Sequence, residues 1–189
     1  MGIFMEAFNR PAEAYRRRSG HIAWIFVSVT VLFITVFDQI TNYYANIGNF
    51  DVAIDPVKML LLAGAGIATY LVACIVLFII CRAFGSKTHL PVYFRTWGIS
   101  YIPTAICALA VSLSETYFYI FWNNSLWGML LGTAFIAILI WKIILYVVFL
   151  RETAGLKGKK FMGAFILCAI VFLMLAMADM RIGLKSPVL

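Results

Sequence analysis

Four ionisable side chains stand inside or at the edge of long apolar runs: Asp38, Glu115, Lys142 and Asp179. A charge at the centre of a bilayer costs about 2.5–3.5 kcal/mol on insertion scales, so each must be paired, turned to an interface or used. Lys142 precedes Arg151 by nine residues, which puts it roughly 13 Å deep at 1.5 Å per residue. Asp38 lies about sixteen residues into an earlier apolar run. Helical side chains tilt towards the N terminus of their helix. On helices of opposite direction, Asp38 and Lys142 lean towards each other across an axial offset of roughly 11 Å. The reading is an Asp38–Lys142 pair, direct or through water. Its rivals are a Lys142 that snorkels to the lipid headgroups, and a Lys142 that handles a proton or a substrate.

The remaining polar chemistry assembles no catalytic set. Ser114 and Glu115 have no partner histidine, and the two histidines, His21 and His89, flank basic segments. The chain contains no H-E-x-x-H, no G-x-S-x-G and no phosphate-binding loop. The four cysteines, Cys74, Cys81, Cys107 and Cys168, fall in or beside apolar runs without metal-ligand spacing, and read as core residues. Asp51, Asp55, Glu115 and Asp179 give one rim of the molecule an acidic character. A hard-metal site would need two or three of these carboxylates to converge, so the rim reads as solvated and no metal is expected. The chain is therefore expected to be neither an enzyme nor the carrier of a cofactor.

These residues need elements to hold them, and composition says which. Hydrophobic residues make up 64% of the 189 residues and charged residues 12%, against roughly 45–50% and 25% in soluble domains. That excludes a soluble fold, disorder and a disulfide-stapled scaffold. Five runs reach the roughly 20 residues that cross a bilayer: about 22–41, 57–81, 96–114, 126–150 and 161–178. The expected fold is all-α, a single membrane domain over 1–189 built as a bundle of five transmembrane helices. The loops are too short for a soluble catalytic or nucleotide-binding domain.

Direction follows from lysine and arginine in the short loops. Arg10, Arg16, Arg17 and Arg18 precede the first run. Arg82, Lys87 and Arg95 lie between the second and third, and Arg151, Lys157, Lys159 and Lys160 between the fourth and fifth. Five spans put all three clusters on one side, leaving Lys58, Arg181 and Lys185 on the other. The N terminus is expected in the cytoplasm and the C terminus outside. The net charge of +7 thus records topology rather than nucleic-acid binding. The first run outlasts a signal-peptide core and lacks a small-x-small cleavage pattern, so it reads as a retained span. Before it, Ile3, Phe4, Ala7, Phe8, Pro11, Ala14 and Tyr15 recur at helical spacing, which suggests that residues 1–20 form a short amphipathic segment on the cytoplasmic leaflet.

Small and polar residues forecast packing. Gly128 and Gly132 form a G-x-x-x-G on the fourth span, and Gly64 lies in a run of small residues on the second; such surfaces let helices approach closely, within the chain or between copies. Pro103 removes a backbone donor from the third span and predicts a kink, with Ser100, Thr104, Cys107, Val111 and Ser114 near one face. That face belongs inside the bundle, where it either mends the broken backbone or lines a hydrated groove.

Three segments resemble the Yip family of small five-span membrane proteins, named for interaction with Ypt/Rab GTPases. They are Phe8-Asn9-Arg10-Pro11-Ala12-Glu13-Ala14-Tyr15 before the first span, Gly98-Ile99-Ser100-Tyr101-Ile102-Pro103 on the third, and Trp141 to Leu150 followed by Arg151-Glu152-Thr153-Ala154-Gly155-Leu156-Lys157. The long cytosolic N-terminal region and the Asp-Leu-Tyr-Gly-Pro segment of eukaryotic members have no counterpart here, so GTPase binding and Golgi trafficking are not carried over. The resemblance implies the five-span fold and a non-enzymatic, membrane-organising or interaction role in a prokaryotic-type cell membrane. The expected partners are membrane lipids and a second copy or another membrane protein. A transporter or permeation pathway for a small solute, ion or lipid is the alternative, and an accessory subunit of a membrane complex is a third reading.

Overall fold

The structure is a computed structural model that describes residues 7–16, 22–45, 55–116 and 123–184. Two of its long helices begin where a side chain satisfies the first backbone donors. Asp55 Oδ1 accepts from the amides of Val57 (2.9 Å) and Lys58 (3.1 Å), with Pro56 at the first helical position. Asn124 Oδ1 does the same for Leu126 and Trp127. Each cap satisfies amides that a helix would otherwise leave open.

The elements run in order α1 (Pro11–Arg16), α2 (Ile22–Ala45), α3 (Pro56–Ala83), α4 (Leu90–Thr96), a 3-10 turn (Trp97–Ser100), α5 (Tyr101–Thr116), α6 (Ser125–Val148), a π turn (Phe149–Thr153) and α7 (Gly158–Arg181). Residues 7–9 are also helical, and no strand occurs among the described residues. Five segments are long and apolar enough to cross a membrane: Ala23–Thr41, Pro56–Ala83, Leu90–Ser114, Ser125–Thr153 and Gly158–Arg181. The protein is an all-helical, multi-pass membrane protein.

The third span starts at Leu90, six residues before the expected 96. Arg95 reads as a boundary charge in the sequence, but in the structure it lies exposed on α4 while Tyr93 and Thr96 are buried. A short interfacial helix tolerates a charge on its outer face. The same span holds its irregularity one turn before Pro103, in the 3-10 turn Trp97–Ser100, and Pro103 falls in the first turn of α5. Its missing donor costs little there, because the regular ladder has only just restarted.

The third span is the hub. It packs on the first, the second and the fourth, while the second packs also on the first and the fifth. Accordingly 61% of its apolar 18-residue stretch is buried within the chain, against 22% for the corresponding stretch of each of the fourth and fifth. Those last two spans are not closely packed on each other over most of their length, and a cleft lies between them. At the end that carries the basic clusters, Trp97 is fully buried in an aromatic group, its ring 4.7 Å from Tyr146, 4.9 Å from Phe149 and 5.3 Å from Phe172.

Candidate functional site

Lys142 is 6% exposed, and its ammonium donates to the hydroxyl of Thr104, itself buried on α5. The Tyr146 ring, one turn further along α6, lies 5.9 Å from Nζ, within the range of a cation–π contact. The lysine therefore does not snorkel to headgroups: its head is held inside the bundle by the third span. Asp38, half-buried on α2, accepts at Oδ1 from the hydroxyl of Ser112 at 3.1 Å. Thr104 and Ser112 are eight residues apart on α5, about 12 Å along its axis.

The direct Asp38–Lys142 pair is accordingly not formed. Each charge has a hydroxyl of the third span instead, at a different depth. The axial lean of two side chains says nothing of their angular position around the bundle, and α5 stands where the pair would have met. The ion pairs among the described residues are Arg10–Glu13 and Arg16–Glu152.

The polar stripe of the third span splits its work. Ser100 returns its hydroxyl to the carbonyl of Trp97 (2.7 Å), and Ser114 to that of Val111 (3.0 Å). These two tie back local backbone. Thr104 and Ser112 instead reach other spans. Ser112 is fully buried and carries the contact to Asp38. Its spacing of two turns from Thr104 is the sequence signal that identifies it.

Within the chain, the close approaches fall on small residues other than Gly64 and Gly132. A Cβ added at Gly64 or Gly132 would meet nothing within 4 Å, so neither makes a close approach inside the chain. Gly128 has its own amide bonded to the Asn124 carbonyl at 2.9 Å. The close approaches occur elsewhere. A Cβ at Gly66 would come within 2.7 Å of Val31, and one at Gly98 would strike the backbone carbonyl of Ala23. At Gly163 it would meet the Phe84 ring at 2.5 Å. Gly98 is a small residue by necessity, because the first and third spans touch there backbone to backbone.

The carboxylates of the acidic rim are engaged separately. Asp55 caps α3. Asp179 is buried, accepts from Thr69 Oγ1 at 2.9 Å, and uses its carbonyl to close the turn after α7 through the amides of Ile182 and Leu184. Asp51 and the side chain of Glu115 lie outside the described residues. Among the described residues no group of three His, Cys, Asp or Glu is placed to hold a metal.

The segment before the first span does not lie free on a leaflet. Ala7, Ala14 and Tyr15 are buried against the bundle. The Phe8 ring meets Trp141 at 5.3 Å and Tyr15 meets Phe149 at 5.7 Å, so residues 7–16 run beside the last turns of the fourth span. Arg16 then clamps Glu152 through two bonds, Nε–Oε2 at 2.6 Å and Nη2–Oε1 at 3.3 Å. The hydrogen bond to Glu152, and then its charge, raise the guanidinium pKa above its ordinary value.

The stem of Lys142 forms part of the wall of a cavity of about 330 Å³ in the cleft between the fourth and fifth spans. Trp97 and Leu77 form its floor, and Ile143, Phe165 and Leu173 its sides. The ammonium leaves this cavity for Thr104, so the cavity presents an apolar interior.

No curated protein and no solved structure matches the chain. The family model described as the Yip1 domain matches residues 5–178, from the docked N-terminal segment through nearly all of the fifth span. With that match over most of its length, on top of five apolar spans and a docked N-terminal segment, the chain belongs to the Yip1 domain family.

Proposed function

We propose that this chain is a non-enzymatic membrane-organising protein, working through contacts that its fourth and fifth spans make within the bilayer. The observation that carries this reading is the difference in burial: in the apolar 18-residue stretch of each of these two spans 22% is buried within the chain, against 61% in that of the third. Two helices therefore offer apolar surface to lipid and to neighbouring helices. On the fourth, the open space at Gly132 suits the close approach of another helix. Its occupant is a second copy or another membrane protein. The distribution of basic residues supports a cell-membrane protein with its N terminus in the cytoplasm and its C terminus outside.

Single cysteines at Met129, Gly132 and Ile136 on one face of the fourth span, and at Leu130 and Ala134 on the opposite face, in a background without the four native cysteines, test the contact role. Cross-linking in membranes that recurs on the Gly132 face and fades on the opposite face is the expected result. A flat, negligible yield at every position overturns it. Reagent accessibility at Thr88 and Lys159 on one side, and at Asn124 and Ile182 on the other, checks the orientation.

The Lys142–Thr104 and Asp38–Ser112 contacts favour a second reading, passage of a proton or small solute along α5. Water-soluble thiol labelling at Ser100 and Thr104 would support that pathway. Protection at both would leave the contact role alone.

A further inference from the structure

We infer that the cleft between the fourth and fifth spans is a binding groove for one acyl chain of an anionic phospholipid. The inference goes beyond the contact role and stands without it.

The cavity volume of about 330 Å³ is at the lower end of ligand pockets, roughly 300–1,000 Å³. Its shape is set by α6 and the π turn that follows, whose lining residues run from Leu139 to Leu150. Eleven residues of helix rise about 16 Å, close to half of a hydrocarbon core about 30 Å thick. The groove is thus as long as the chain region of one leaflet, and it lies in the leaflet at the basic end. Its side is open: Leu139 and Leu173 on its lip are 57% and 56% exposed. In a membrane, that lip faces hydrocarbon. An unfilled groove would leave Leu139, Phe165 and Leu173 without contacts on one side, and a lipid tail supplies them without desolvating any polar group.

The charge at the end of the groove selects the headgroup. Leu150 is followed by Arg151, whose guanidinium lies 5.1 Å over the Phe161 ring and is exposed. Lys157, Lys159 and Lys160 are exposed in the same loop and first turn of α7. Each basic side chain near a membrane surface adds to the attraction for anionic lipid. The deep cation, Lys142, is turned to Thr104 and only its methylenes touch the groove, so nothing at mid-depth calls for a charged or polar tail.

The test uses the whole chain in nanodiscs and a single reporter. Trp97 is buried from bulk lipid yet lines the groove. The other four of the five tryptophans, Trp24, Trp122, Trp127 and Trp141, are replaced by Phe. Nanodiscs of phosphatidylcholine are doped with phosphatidylglycerol brominated at mid-chain. We expect strong quenching of Trp97, several-fold weaker when the brominated lipid is phosphatidylcholine at the same fraction. Ala169→Trp, replaced in this background by Ala169→Leu to keep one reporter, narrows the mouth and should remove most of the quenching. Arg151→Gln with Lys159→Gln should remove the preference for phosphatidylglycerol and leave the residual quenching. Quenching of Trp97 no greater than that in the Ala169→Leu chain overturns the groove. Equal quenching by both lipids overturns the headgroup assignment. A Leu173→Cys chain that cross-links to a second copy in high yield also overturns the inference, because a helix then fills the cleft.

Discussion

The ammonium of Lys142 on the fourth span is held by the hydroxyl of Thr104 on the third, and this bond joins the bundle's most buried span to one of its most exposed. Removing the acceptor leaves a buried cation short of one partner. Hydrogen bonds between membrane helices average about 0.6 kcal/mol and reach about 1.7, and charged donors stand at the upper end. Thr104→Val should therefore cost about 1.5 kcal/mol in detergent unfolding, and Thr104→Ser close to nothing. Adding Lys142→Met to Thr104→Val should recover part of the loss, since no charge is then left unsatisfied.

Asp38 and Lys142 should behave as independent sites. Their hydroxyl partners are about 12 Å apart along α5, beyond the range at which substitutions usually couple. Unfolding of Asp38→Asn, Lys142→Met and the double variant should give additive losses within about 0.5 kcal/mol. Asp38→Asn with Ser112→Ala should instead be less than additive, because those two side chains touch.

Gly98→Ala should be among the most damaging small substitutions in the chain. The new methyl meets the Ala23 carbonyl, a backbone atom that cannot swing aside. Overpacking costs about 1–3 kcal/mol where neighbours can yield, so a loss of about 2 kcal/mol or more is expected. Gly132→Ala, facing open space, should leave stability unchanged. Thermal unfolding of the two variants side by side checks the contrast.

Glu152→Gln should loosen residues 7–16 without unfolding the spans. Arg16 would lose its charged partner, while the Tyr15–Phe149 contact would remain. Hydrogen exchange should rise in α1 and stay unchanged in α5. High salt should reproduce part of the effect on the native chain, because the pair is exposed.

The five spans were legible because run length alone decides whether a helix can cross hydrocarbon. The burial of the third span was legible too, from its serines and threonines. Partner identity was not. Rise per residue places Asp38 and Lys142 at their depths but leaves open which helix stands between them, and α5 turned out to supply both hydroxyls. The same blindness affected the glycines. Gly64 and Gly66 differ by two positions, and only the angular placement of α3 decides that Gly66 faces Val31 while Gly64 faces open space. The amphipathic pattern of the N-terminal segment was readable, but its apolar face could have met lipid or protein. Phe149 and Trp141, distant in sequence, settle the choice.

The clamp between Arg16 and Glu152 joins residues 136 positions apart. During synthesis the first of them emerges early, and the second only when four spans have been made. Until then the apolar side of residues 7–16 has no protein surface to cover it. Closing of the clamp is thus a late event that marks the fourth span as inserted. A nascent chain halted before Glu152 should expose this segment to membrane-surface proteases, and one halted well beyond it should not.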